Sequence, residues 1–147
     1  RLTFCQHMQH GFLTAVREAG IAYELPEGID LDSPASALRN YFRHRVGQAD
    51  PPNGLVCPGE VSTLAAITGL YEAGHMLGRE YDIVAKQTSR LLGDIQPGVE
   101  TIYEDLTAAG EQLGRMLLRR IGGEPAEVLQ LLQAPQPNFD AAQRLPA

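Results

Sequence analysis

The sequence has no tryptophan, two cysteines and no long apolar run, and each scarcity closes off a class of protein. Cys5 and Cys57 stand far apart with no C-x-x-C context, which excludes a disulfide scaffold and leaves both as small, reduced, buried residues. No run approaches the roughly 20 apolar residues of a membrane-spanning helix, and no signal-peptide pattern is present. Basic residues are the minority, 12 Lys and Arg against 18 Asp and Glu, for a net charge of −6. Nonspecific nucleic-acid affinity comes largely from Lys and Arg, so a broad phosphate-binding face is excluded. The arginines at 115, 119 and 120 gather near the end of one helical stretch, where cations complement the helix dipole. The phosphate-cradling patterns G-x-G-x-x-G and G-x-x-x-x-G-K-[ST] are missing, as is the G-x-S-x-G nucleophile turn.

What is there suits one ordinary globular domain: 147 residues, 44% apolar and 20% charged. The chain begins without Met on a helix-like stretch, which reads as a piece of something longer. Its centre is residues 54–74. A short apolar run (Leu55, Val56, Cys57) follows the Pro-Pro-Asn-Gly turn signal. After Pro58-Gly59-Glu60 comes a helix-period segment with Val61, Leu64, Ile67, Leu70 and Tyr71 apolar, closed by Gly74 as a left-handed cap. This is a strand, a tight turn and a helix. In an open parallel sheet, ligands sit beyond the carboxyl ends of strands, where this turn lies.

The rest alternates in the same way. Residues 3–19 form an amphipathic helix with Phe4, Met8, Phe12, Ala15 and Val16 in one stripe, ended by Gly20. The spacing predicts a strand at 21–25 and a helix from Ser33, as N-cap before Pro34, to about Val46. Further strands are predicted at 81–85, 99–103 and 127–132. A polar loop is predicted at 86–98, and a helix from Asp105 or Thr107 to Gly122-Gly123 with Leu106, Ala109, Leu113 and Leu117 on one face. The stretch from Ala134 reads as a loop or frayed end. Such alternation specifies a three-layer αβα fold with a mostly parallel sheet.

Several residues carry possible chemistry. His7 and His10 share a helix face, but no third ligand at zinc spacing accompanies them, so no metal is expected. Cys57 ends a strand just before a helix, which suits a nucleophile. Its only nearby base, His75, lies about five turns away at the far end of that helix, so a core cysteine is the expectation. The remaining polar groups converge at strand ends: Glu60, then Lys86 and Gln87, then Glu104 and Asp105. Such a set suits a hydroxyl-rich ligand, or serves only as caps and loop residues.

Four motifs in order resemble the LacI/GalR family of bacterial transcriptional regulators. Gly11-Phe12-x-x-Ala15-Val16-x-x-Ala19-Gly20 is similar to the family's G-F-x-x-A-L-x-x-x-G helix. Asn53-Gly54-Leu55-Val56-Cys57, with Glu60 and Leu64-Ala65-Ala66-Ile67, resembles its central strand and helix. Tyr81-Asp82-Ile83-Val84 resembles its D-I-S-V-V-G strand, and Pro97-x-Val99-x-Thr101-Ile102 with Gly110 and Leu117-Leu118 its P-x-L-T-T-V segment. The similarity runs from about Leu2 to Leu132.

The resemblance implies a periplasmic-binding-protein-like effector domain that binds a sugar or glycoside between two lobes and uses no cofactor. Residues 1–133 would be a fragment of it: 1–100 the carboxy-terminal lobe, 101–133 the crossover toward a lobe missing here, and 134–147 a tail. The ligand-lining positions would be Met8, Gly59, Glu60, Lys86 and Gln87, with Glu60 and Gln87 the hydrogen-bonding pair. A homodimer would form through the helices starting at Ser33 and Glu60 and the loop at 89–94. DNA would be bound only through a helix-turn-helix domain absent from this chain, in the cytoplasm, and no residue would be catalytic. A periplasmic sugar-binding protein of the same fold, or a small α/β enzyme using Cys57, are the alternatives. The sequence departs from the family where its effector-contacting arginine falls on Met8 and its third-strand acid on Gln87. Losing both removes two charge-assisted contacts to a sugar's hydroxyls.

Overall fold

The computed structural model describes residues 3–139. Three parallel strands form the sheet's body: β1 (Gly54–Cys57), β2 (Asp82–Gln87) and β3 (Glu100–Tyr103). A fourth, β4 (Gln136–Asn138), pairs antiparallel with β3, so the spatial order is β1-β2-β3-β4. Helices α1 (Thr3–Glu18), α2 (Ala35–Arg45), α3 (Glu60–Glu72), α4 (Leu91–Ile95) and α5 (Leu106–Ile121) occupy the connections. The mostly parallel αβ class is as the alternation predicts.

The core lies on one face of the sheet. Strand residues alternate between faces, and β2 buries Ile83, Ala85 and Gln87 while Asp82 is exposed and Val84 and Lys86 are half-buried. Against that buried face pack Ala66 and Leu70 of α3, Phe42 and Val46 around α2, and Leu92 of α4. On the opposite face, Lys86 lies under the Phe4 ring of α1, with its Nζ 5.1 Å from the ring centroid.

Helix α3 stops where its residues require it to. The amide of His75 donates to the Leu70 carbonyl at 3.0 Å and that of Gly74 to Tyr71 at 2.9 Å. Gly74 sits at φ +86°, a conformation in which a side chain would be strained. At α5, Asp105 is the N-cap, its carboxylate accepting from the Ala108 amide at 2.8 Å.

Four expectations are corrected. Residues 21–25 are not a strand: they have no ladder partner among the described residues, and Ile21, Tyr23 and Leu25 are exposed. Arg45 instead pins the segment through Glu24, at 2.8 Å. Residues 127–132 are not a strand either. Pro125 opens a single 3-10 turn at Ala126–Val128, and Leu131 and Leu132 are exposed. Conversely, Lys86 and Gln87 belong to β2 rather than to a loop, and α4 interrupts the rest of 88–98. Within the stretch read as a tail, residues 136–138 form β4, and Pro137 is tolerated because the strand is at an edge. Residues 140–147 of that tail lie outside the described residues. A smaller shift occurs at α2, where Pro34 is the N-cap and the Ser33 hydroxyl serves the Asp30 turn.

Candidate functional site

The carboxyl ends of β1, β2 and β3 bring the loops at 58–60, 88–90 and 104–105 to one rim. Glu60, the first residue of α3, reaches across it. One oxygen of its carboxylate accepts the Thr88 amide (3.1 Å), the Ser89 amide (2.8 Å) and the Ser89 hydroxyl (2.8 Å). Burial works to raise its pKa, but the Ser89 and Thr88 hydrogen bonds and the Lys86 charge outweigh it and hold the carboxyl below its usual value. Glu60 is thus a latch that fixes the loop after β2.

The other expected residues distribute around this latch. Lys86 Nζ pairs with Glu104 at 2.8 Å. Gln87, one residue on and so on the other face, is buried; its amide Nε2 donates to Thr101 Oγ1 at 2.9 Å, while its own Oε1 is buried with no hydrogen-bond partner. Met8 is half-buried on α1, one turn beyond Phe4 and on the same stripe. Gly59 is the N-cap of α3 with extended backbone, and its carbonyl accepts from the hydroxyls of Ser62 and Thr63. Lys86 and Met8 therefore lie on the α1 side of the sheet and Gln87 on the α3 side, with Gly59 and Glu60 at the edge between.

Sequence reasoning missed Arg90 and Tyr103. They are thirteen positions apart, yet the Arg90 guanidinium carbon lies 4.9 Å from the Tyr103 ring centroid. No periodicity signals such a pair, because it depends on β2 and β3 lying side by side.

Cys57 is 2% exposed. Burial pushes its thiol up to about 11, against a weaker opposing hydrogen bond with Thr63. At pH 7 the buried group is then a neutral thiol, whereas a working nucleophile needs a lowered pKa and access. Iodoacetamide at pH 7 is expected to label the half-buried Cys5 first and Cys57 only after denaturation, as read by peptide mass spectrometry. Labelling of both at one rate would restore Cys57 as a candidate. No group of three or more His, Cys, Asp or Glu comes together as a metal site among the described residues.

The chemistry on offer is hydrogen bonding and stacking at a strand-end rim. The sequence pattern of the periplasmic binding protein-like domain matches residues 4–137. The chain belongs to that family. Among relatives of this periplasmic-binding-protein-like chain is the HTH-type transcriptional repressor PurR of Aliivibrio salmonicida (strain LFI1238), 24% identical over 117 residues. That match covers 80% of this chain and 35% of the repressor. Among solved structures, a LacI family transcriptional regulator from Mycobacterium smegmatis superposes with a TM-score of 0.69 at 20% identity. It covers 91% of this chain and 50% of that one, so the chain spans half or less of the length of these relatives.

Proposed function

We propose that this chain forms part of the effector-binding domain of a ligand-responsive, LacI-type transcriptional regulator. Its work is binding rather than catalysis. The observation that carries the reading is the strand-end rim held by Glu60, set in a periplasmic-binding-protein-like domain. The effector, of the sugar or glycoside class, would lie along the rim at Gly59 and Glu60 with Met8 and Lys86 on its α1 side, whereas Gln87, buried on the α3 side and bonded to Thr101, would support the rim from beneath. DNA contact would come from a helix-turn-helix domain outside this chain, and the protein would act in the cytoplasm. An effector that binds one lobe arrangement better would shift the population toward it and alter DNA affinity.

Residues 1–100 would be the carboxy-terminal lobe and 101–133 the crossover to a second lobe. Support comes from α5: none of its residues is buried, and Leu106, Leu113, Leu117, Leu118 and Ile121 are 58–73% exposed. Burying a leucine fully is worth about 1.5–3 kcal/mol, so a face of this size favours a covered state. Homodimerisation would use α2, α3 and the 89–94 stretch that leads into α4. Val61, Leu91 and Ile95 are exposed there, and a groove of about 280 Å³ between α2 and α3 is lined in part by Ala35, Arg39 and Val61.

Two measurements test this reading. The gene's full translated product should retard DNA from its own promoter region in a gel-shift assay, and a bound effector should change that retardation. A product that ignores this DNA at all effector concentrations would remove the regulator reading. In this chain alone, joint replacement Leu113→Glu and Leu117→Glu should leave the Tm nearly unchanged and suppress, in sedimentation velocity, any self-association beyond the α2–α3 dimer. A loss of about 2–5 kcal/mol per site, as for core leucines, would mean that α5 is already covered within the chain.

A further inference from the structure

The charged groups at the rim are mostly engaged inside the chain. Lys86 is paired with Glu104, Asp105 caps α5, and Glu60 holds the backbone of Thr88 and Ser89. What remains is Arg90. Arginines 39, 43, 45, 79, 115 and 119 are in ion pairs. Arg17 and Arg120 donate hydrogen bonds, to the Tyr23 hydroxyl and the Glu124 carbonyl. Among the described residues, Arg90 is the one arginine whose guanidinium makes neither a hydrogen bond nor an ion pair.

Its position is fixed all the same. Arg90 directly follows the two amides that Glu60 holds, so its backbone leaves a latched turn. Its guanidinium rests on the Tyr103 ring. A guanidinium held over an aromatic face by its charge keeps its fork of five N–H donors for another partner. That fork matches a carboxylate or phosphate, each of which offers two coplanar acceptor oxygens.

Resting on the effector reading above, we propose that Arg90, stacked on Tyr103, receives an anionic group of the ligand, so that the rim selects an acidic or phosphorylated small molecule over its neutral counterpart. The family resemblance places this position at the start of the 89–94 dimer loop and not among the ligand-lining residues, so the role is additional to it. It supplies a cation to the rim from the loop after β2, on the Gln87 side of the sheet, because Tyr103 is in register with Gln87. Tyr103 is then a positioning residue against which the guanidinium rests.

The test uses three probes of one ring size, glucose, glucuronate and glucose 6-phosphate, titrated calorimetrically into the chain. The proposal expects one or both anions to bind about tenfold or more tightly than glucose, the carboxylate and phosphate arms telling which oxygen group is preferred. Arg90→Gln should bring the three probes to parity, and Arg90→Lys should restore only part of the preference, because an ammonium cannot form the fork. Tyr103→Leu should weaken the anion preference while leaving glucose unaffected. Arg90 is exposed, so its variants should keep the parent's Tm, which separates lost binding from lost folding. An anion preference that survives Arg90→Gln, parity or a preference for glucose in the parent, or no binding of any of the three would overturn the proposal. Parity with measurable glucose binding would leave the effector reading standing.

Discussion

Replacing Gly69 with alanine is expected to destabilise the chain by about 2 kcal/mol or more, because two opposed effects are very unequal there. Alanine in a helix is favoured over glycine by about 1 kcal/mol. Yet a Cβ at Gly69 would meet the Arg39 carbonyl oxygen at 2.3 Å, the Arg39 carbonyl carbon at 3.1 Å and the Arg43 amide nitrogen at 3.2 Å. All three are backbone atoms of α2, so no side chain can swing aside, and the helices must separate. Separation also disturbs Glu72 of α3, which lies 3.7 Å from both Arg39 and Arg43, and the burial of Phe42 and Leu70. Urea denaturation should show a lower midpoint with little change of slope. A midpoint raised by the substitution would mean that α2 and α3 are not in contact at this point.

The second large effect is expected at Glu60. Glu60→Ala removes a charged acceptor of three hydrogen bonds and leaves the Thr88 and Ser89 amides without their partner. Bonds to charged groups are worth about 1.5–3 kcal/mol, and partial exposure places the expected loss near the lower end of that range, about 2 kcal/mol. The sharper readout is local. Hydrogen exchange at the Thr88 and Ser89 amides should accelerate by about tenfold or more in Glu60→Ala, and less in Glu60→Gln, which keeps an acceptor oxygen but loses the charge. The pH dependence follows in sign. The folded-state pKa of Glu60 is depressed below 4.5, so its contribution is fully present above the unfolded value and is lost as pH falls through the folded one. Protection at Thr88 and Ser89 should therefore fade on acidification below that range. Unchanged exchange at both amides in Glu60→Ala would show that the latch holds nothing.

Elements whose signals are local were legible in the sequence. Apolar periodicity with a glycine stop placed α3, and of Asp105 and Thr107, the two starts the sequence offered for α5, Asp105 is the cap. The misplaced elements depend on distant pairing. Ile21, Tyr23 and Leu25 alternate as a strand does, yet a strand exists only where a neighbour offers its ladder. Gln136–Asn138 contains a proline and looks like a tail, yet β3 has a free edge that accepts it. The candidate site divides the same way. That residues 58–60, 86–87 and 104–105 meet at one rim follows from parallel alternation. That Lys86 and Gln87 face opposite ways follows from the pleat, once Gln87 is known to lie within β2 rather than beyond it. That Glu60 is engaged by amides 28 and 29 residues away, and that Arg90 finds Tyr103, are consequences of side-by-side strands which no short motif encodes.

The most direct test of the account is amide chemical-shift mapping of the isotope-labelled chain as glucose 6-phosphate is added. Binding at the strand-end rim predicts the largest shifts at Gly59, Glu60, Thr88 to Arg90 and Tyr103, with α2 and the far end of α3 unmoved. Shifts confined to the groove between α2 and α3, with the rim silent, would contradict it.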